Sequence, residues 1–176
     1  SKEGKVGYNI TMVIAYIREF FVPQGILGET LETAVPWSKV NQVKDEANKL
    51  LTELHKKYDL PGKPFFCSRI SKVYHTGICM YNTMGINVRG IKNPEKVFSD
   101  IEHKIRECFI KNGGSISHHH GVGKLRKDFM PETISPGSID VIQGIKKSQD
   151  PNNIFGISNN IINLSLIHIS EPTRPP

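Results

Sequence analysis

The amino-acid sequence predicts an α+β fold, an antiparallel sheet with helices packed on one face. Three observations lead there. The elements run helix, strand, helix, two strands, helix, strand; the adjacent strands are joined by a short polar turn; and three segments repeat apolar residues at helical spacing. With 176 residues, 38% of them apolar, the chain is long enough for one full-sized domain with its own core.

From Asn9, a candidate N-cap, the residues Ile10, Val13, Ile14, Ile17, Phe20 and Phe21 keep helical phase until Pro23 and Gly25, which predicts a first helix with one buried face. Ile26 to Trp37 carries Thr, Val and Leu and closes on Pro36, as a strand leading into a turn does. Ser38 is the expected cap of a second helix, with Val40, Val43, Ala47, Leu50, Leu51 and Leu54 on one face, ending before Pro61-Gly62. Phe65 to Tyr74 and Ile78 to Arg89 flank the polar turn His75-Thr76-Gly77 and read as an antiparallel hairpin. Asn93-Pro94 opens a third helix through Val97, Phe98, Ile101, Ile105, Cys108 and Phe109, stopped by Asn112-Gly113-Gly114. An extended segment through three histidines follows, and Ile139, Ile142 and Ile145 predict a short helix before Asp150-Pro151. Residues 1–163 read as a single domain; the aperiodic, proline-closed stretch 164–176 reads as a non-native or disordered tail.

Composition narrows the function classes. No run of eighteen uncharged apolar residues exists, and the start lacks the apolar core of a signal peptide, so the chain is expected to begin inside a longer protein or to carry no address there. Cys67, Cys79 and Cys108 show no CxxC spacing, as free thiols in a reducing compartment would. The net charge is +6, but Lys and Arg are spread without interleaved aromatics, so an anionic ligand or plain solubility is expected and nucleic acid is not.

The most distinctive stretch is Gly113-Gly114-Ser115-Ile116-Ser117-His118-His119-His120-Gly121-Val122-Gly123-Lys124-Leu125-Arg126-Lys127. It is not a phosphate loop, since Leu125 stands where Ser or Thr is required, nor a dinucleotide fingerprint, since Arg126 replaces the third glycine. Neighbours in an extended chain point to opposite faces, so His118 and His120 would share one face with His119 opposite. With no Cys or acidic residue close in sequence, no metal is expected. What remains is proton transfer near neutral pH by imidazoles that the glycines bring close to a ligand. Lys124, Arg126 and Lys127 suit either an anion or a solvated helix start. Tyr81, in a strand, is a packing residue or a catalytic one, and Arg18, on the first helix, is solvated or a ligand of an anion.

Three stretches carry a resemblance: Gly28-Glu29-Thr30-Leu31-Glu32-Thr33-Ala34-Val35-Pro36-Trp37, then Ser117 to Lys127, and Asp150-Pro151-Asn152-Asn153-Ile154-Phe155-Gly156. From roughly Gly7 to Asn160 the chain resembles the alkyldihydroxyacetonephosphate synthases among the vanillyl-alcohol-oxidase-type flavoproteins. The resemblance implies a C-terminal cap that covers the FAD of a domain absent from this chain and forms the substrate pocket. It implies replacement of the acyl group of acyl-dihydroxyacetone phosphate by a long-chain fatty alcohol, through a flavin N5 adduct and without net redox. It makes Tyr81, His118, His119 and His120 catalytic, assigns the substrate phosphate to Arg18 with Lys124 and Arg126 as further substrate contacts, and places Asn153 and Asn159 at the cofactor. A peroxisomal location, a homodimer and peripheral association of the full protein with membranes are further implications. Beside this stand two other readings: the cap of an FAD-dependent 2-hydroxyacid dehydrogenase, and a truncated chain without activity of its own.

Overall fold

A computed structural model describes residues 2–14 and 16–156. Helices α1 (Lys2–Ile14) and α2 (Ile17–Phe21) lead through a 3-10 turn, Val22–Gln24, into strand β1 (Ile26–Pro36). A second 3-10 turn, Trp37–Lys39, enters helix α3 (Val40–Lys57). The hairpin β2 (Phe65–Val73) and β3 (Gly77–Asn87) follows, then helix α4 (Pro94–Lys111). Beyond the histidines come the 3-10 turn Lys127–Phe129 and helices α5 (Met130–Thr133) and α6 (Pro136–Gln149). The chain divides into two units between His118 and His119, and all three strands lie in the first.

The sheet is antiparallel, ordered β1-β3-β2. Side chains alternate across a strand, so each face is a different set of residues. One face presents Leu31 and Val35 of β1 with Ile78, Met80, Met84 and Ile86 of β3, and buries them against Val43, Ala47, Leu51 and Leu54 of α3 and Ile101, Ile105 and Phe109 of α4. Asn82 lies on the same buried face, and its amide is satisfied there: Nδ2 donates to the Leu31 carbonyl (3.2 Å) and Oδ1 accepts from Ser68 Oγ (2.6 Å). On the opposite face the register sets residues in rows, Gly28 beside Gly85 and Phe65, Thr30 beside Thr83 and Cys67, Glu32 beside Tyr81 and Arg69. This is the expected α+β class with helices on one face of the sheet. The strands meet closely where β3 begins: a β-carbon on Gly77 would lie 2.1 Å from the Val35 carbonyl oxygen, a position open only to glycine.

Four local expectations are corrected. The first helix is not one element from Asn9: α1 already begins at Lys2, and a turn at Tyr16, whose N–H donates to the Val13 carbonyl (2.9 Å), separates it from α2. Nor is its apolar face covered, because Val13, Ile17 and Phe20 are 60%, 46% and 64% exposed and α2 contributes no buried residue. Helical periodicity states that a helix has an apolar face, not that the same stretch of chain supplies what packs on it. Ser38 is not a cap; the chain leaves β1 through a 3-10 turn, which puts Lys39 at the N-cap of α3 with no side-chain capping bond. Finally, the histidine segment is no strand. Its backbone meets the backbone of β1 at Ser115, where Ser115 N donates to the Ala34 carbonyl (3.0 Å) and Ser115 Oγ accepts from Ala34 N (2.9 Å). Gly121 and Gly123, at φ of 76° and 55°, then turn the chain out of an extended course.

Among the described residues no helix is long and apolar enough to cross a membrane. The cysteines are free thiols, Cys79 buried and Cys67 exposed.

Candidate functional site

The site is built on the face of the sheet opposite α3 and α4. At its centre Glu32 is 1% exposed, the second of two acids in β1 after Glu29. A buried carboxylate requires donors, and the histidine segment provides them: Ser117 Oγ and the His118 backbone N–H both donate to Glu32 Oε1, at 2.9 and 2.7 Å. The other oxygen lies 3.8 Å from His118 Nδ1. Glu32 thereby ties the first histidine to β1 and sets a negative charge beside one ring nitrogen. The second ring nitrogen, Nε2, is 2.6 Å from the hydroxyl of Tyr74. Gly114 permits the approach, since a β-carbon there would lie 2.4 Å from Thr33 Oγ1 and 2.8 Å from the Phe109 carbonyl oxygen.

Tyr81 is the direct cross-strand neighbour of Glu32, and its ring carries the Arg69 guanidinium 4.5 Å from its centroid. A cation over a ring face holds the phenol in place beside the reactive face. Arg18 lies exposed on α2 and lines an open cleft of about 890 Å³ together with Lys63, the acids Glu29 and Glu95, and apolar side chains that include Phe21, Phe65 and Phe98. The cross-strand pairs Gly28–Gly85 and Thr30–Thr83 line the same cavity with small residues.

In the second unit His119 and His120 are exposed, with ring centroids 4.6 Å apart in an edge-to-face contact. The expected alternation of neighbouring histidines is therefore absent, because the segment bends and is not extended. Lys124 is exposed and Arg126 is buried, its Nη1 donating to the Gly121 carbonyl (2.9 Å). That bond closes the glycine loop on itself. Asn153 sits in the left-handed region at φ 52° and donates its N–H to the Asp150 carbonyl (3.0 Å); Asn159 lies outside the described residues.

The Asp-Pro-Asn-Asn-Ile-Phe motif is explained locally by Asp150. Its carboxylate accepts from Lys146 Nζ and from the backbone N–H groups of Ile154 and Phe155, both at 2.8 Å. The Lys146 bond first, and the two amides after it, lower its pKa to about 2. An aspartate depressed in the folded state contributes stability that is fully present above its unfolded pKa of about 3.9 and lost as pH falls through the folded value. Acidifying through pH of about 2 is accordingly expected to release Ile154 and Phe155, seen as a titration of their amide proton shifts with that midpoint. In Asp150→Asn the same shifts are expected to stay flat.

Glu32, Cys79 and His118 carry donor atoms no more than 4.8 Å apart. The sheet brings Glu32 of β1 and Cys79 of β3 to the histidine segment, a nearness that their sequence separation concealed. Sequence reasoning also passed over Glu32 and Tyr74 as site residues. An acid in the middle of a strand-forming run was the available signal for Glu32, and none existed for Tyr74.

Residues 6–156 match the family described as FAD linked oxidases, C-terminal domain. The alkyldihydroxyacetonephosphate synthase of Caenorhabditis elegans is 40% identical over 159 residues, which is 90% of this chain and 27% of that protein. The synthase of Dictyostelium discoideum is 26% identical over 88% of this chain and 25% of its own length. The chain thus spans about a quarter of the length of these curated relatives. A solved alkyldihydroxyacetonephosphate synthase structure superposes on 80% of the chain and 22% of its own, with a TM-score of 0.57 at 20% identity, a likeness of fold.

Proposed function

The chain belongs to the C-terminal domain family of FAD-linked oxidases, and from that premise we propose that the flavoprotein carrying it forms the ether bond of ether lipids. In this reading it exchanges the acyl group of acyl-dihydroxyacetone phosphate for a long-chain alcohol, as an alkylglycerone-phosphate synthase. The observation that carries the reading is the cavity of about 890 Å³ in which the exposed cations Arg18 and Lys63, with the acids Glu29 and Glu95, border the apolar side chains of Ile17, Phe21, Val22, Phe65 and Phe98. Cations at the border of an apolar cleft suit an amphiphile with a phosphate head and an acyl tail. The 40% identity to a synthase supports the same choice.

The small residues Gly28, Thr30, Thr83 and Gly85 fit a flat ring laid against the face of the sheet opposite α3 and α4. No glycine-rich pyrophosphate loop accompanies them, so this chain fits the role of covering a flavin ring held by the rest of the protein. FAD would supply a reversible attachment point for the glycerone carbon, with no net electron transfer. The chain's own residues do the remainder. Arg18 holds the phosphate, Tyr81 and the histidines 118–120 move protons as the hydrogen on C1 and the carboxylate leave, and Lys124 and Arg126 lend positive charge. A peroxisomal location, a homodimer and peripheral contact with the membrane that delivers both substrates go with this reading, as does a cap extending over residues 1–163.

The test is incorporation of labelled hexadecanol into palmitoyl-dihydroxyacetone phosphate by the full flavoprotein. Ether product without net flavin reduction is expected, and Arg18→Gln is expected to raise KM for the acyl substrate about 10- to 100-fold, as loss of a hydrogen bond to a charged group does. Reduction of the flavin by a 2-hydroxy acid with no ether formed overturns the reading.

A further inference from the structure

His118 is held from both sides of its ring. Glu32 Oε2 lies 3.8 Å from Nδ1, and the same carboxylate anchors the backbone of residues 117 and 118. A buried negative charge beside Nδ1 favours the tautomer with its proton there. That tautomer leaves the Nε2 lone pair to accept, and the group placed to donate is the Tyr74 hydroxyl at 2.6 Å. Tyr74 is itself fixed: Trp37 Nε1 donates to its carbonyl (3.1 Å) and its own N–H donates to the Gly77 carbonyl (2.8 Å). Its side chain ends the chain of contacts and the residue remains 45% exposed, open to a ligand.

We propose that Glu32, His118 and Tyr74 form a proton relay whose outlet is the Tyr74 hydroxyl. Resting on the ether-forming reading above, the relay takes the C1 hydrogen of acyl-dihydroxyacetone phosphate. The substrate C–H bond breaks with its electron pair left on carbon, and the proton joins Tyr74 Oη. The proton already on Oη passes to His118 Nε2, and Glu32 stabilises the resulting imidazolium through Nδ1–H. The proton taken from C1 exchanges with water at the exposed Tyr74 hydroxyl, and on release of product one proton returns from Tyr74 Oη to C1 and one from His118 Nε2 to Oη, so nothing is oxidised or reduced. Glu32 is a positioning residue in this scheme and acts through His118.

The experiment follows washout of deuterium from C1-deuterated palmitoyl-dihydroxyacetone phosphate by the full flavoprotein, beside nitrogen NMR of its labelled histidines. Tyr74→Phe is expected to slow washout about 100-fold, the lower end of general acid–base contributions, with KM unchanged. Its His118 Nε2 resonance is expected to lose the signature of an accepted hydrogen bond. Glu32→Gln, which keeps size and an acceptor oxygen for Ser117, is expected to mix the two His118 tautomers. Washout by Tyr74→Phe within twofold of wild type overturns the relay. If the wild-type protein forms no ether, the functional reading fails by itself; the relay then falls only if Tyr74→Phe leaves the Nε2 resonance unmoved.

Discussion

Replacing His118 by alanine is expected to lower ether formation by the flavoprotein about 10²- to 10⁴-fold, the range that a positioned acid or base contributes. The replacement leaves Glu32 buried at 1% exposure with its backbone donor at residue 118 intact, so the fold is expected to survive while the imidazole is lost. Tyr81→Phe is expected to fall in the same range. The ring keeps its place between the Glu32 and Arg69 registers and under the guanidinium, and only the hydroxyl is removed. Initial rates of labelled alcohol incorporation, with thermal unfolding midpoints measured alongside, separate lost chemistry from lost structure. An unchanged rate in Tyr81→Phe would remove that residue from the proton-moving set.

Phe109→Ala is expected to destabilise the protein by about 3–5 kcal/mol, a large part of the roughly 5–15 kcal/mol by which a domain is stable. Phe109 is the largest fully buried side chain, 1% exposed, and packs α4 into the core shared with α3 and the sheet. Its removal leaves a cavity that a sheet and two helices cannot close without moving against one another. The effect is expected to reach the site, because the Phe109 carbonyl accepts from Gly114 N (2.8 Å) at the start of the histidine segment. Urea unfolding of wild type and variant measures the stability change. Loss of the Tyr74–His118 hydrogen bond at denaturant concentrations below the main transition would show the segment loosening first.

The helices and strands of the core were legible because their pattern is local. Val43, Ala47, Leu51 and Leu54 recur at the pitch of α3, Pro94 stands at the first turn of α4, and two β-prone runs flank a three-residue turn. Each of these is decided by residues within one or two turns of one another, which is the range over which propensity and periodicity act. The same local logic misread α1 and α2, whose apolar residues predicted a buried face that the described chain leaves exposed. It misread the histidine segment too, since consecutive histidines imply alternation only where the backbone is extended.

The amino-acid sequence alone therefore determined the class of fold, the turn positions and the distinctive residues Arg18, Tyr81 and His118 to His120. Only the tertiary structure decided what those residues meet. It set Glu32, 86 residues earlier in the chain, against the backbone of His118, brought Tyr74 to its ring, and placed the exposed Arg18 at the border of an open cleft. The physical reason is that a buried carboxylate finds its donors wherever the packed sheet and loop deliver them. Sequence separation does not enter that energy, whereas desolvation and hydrogen-bond geometry do.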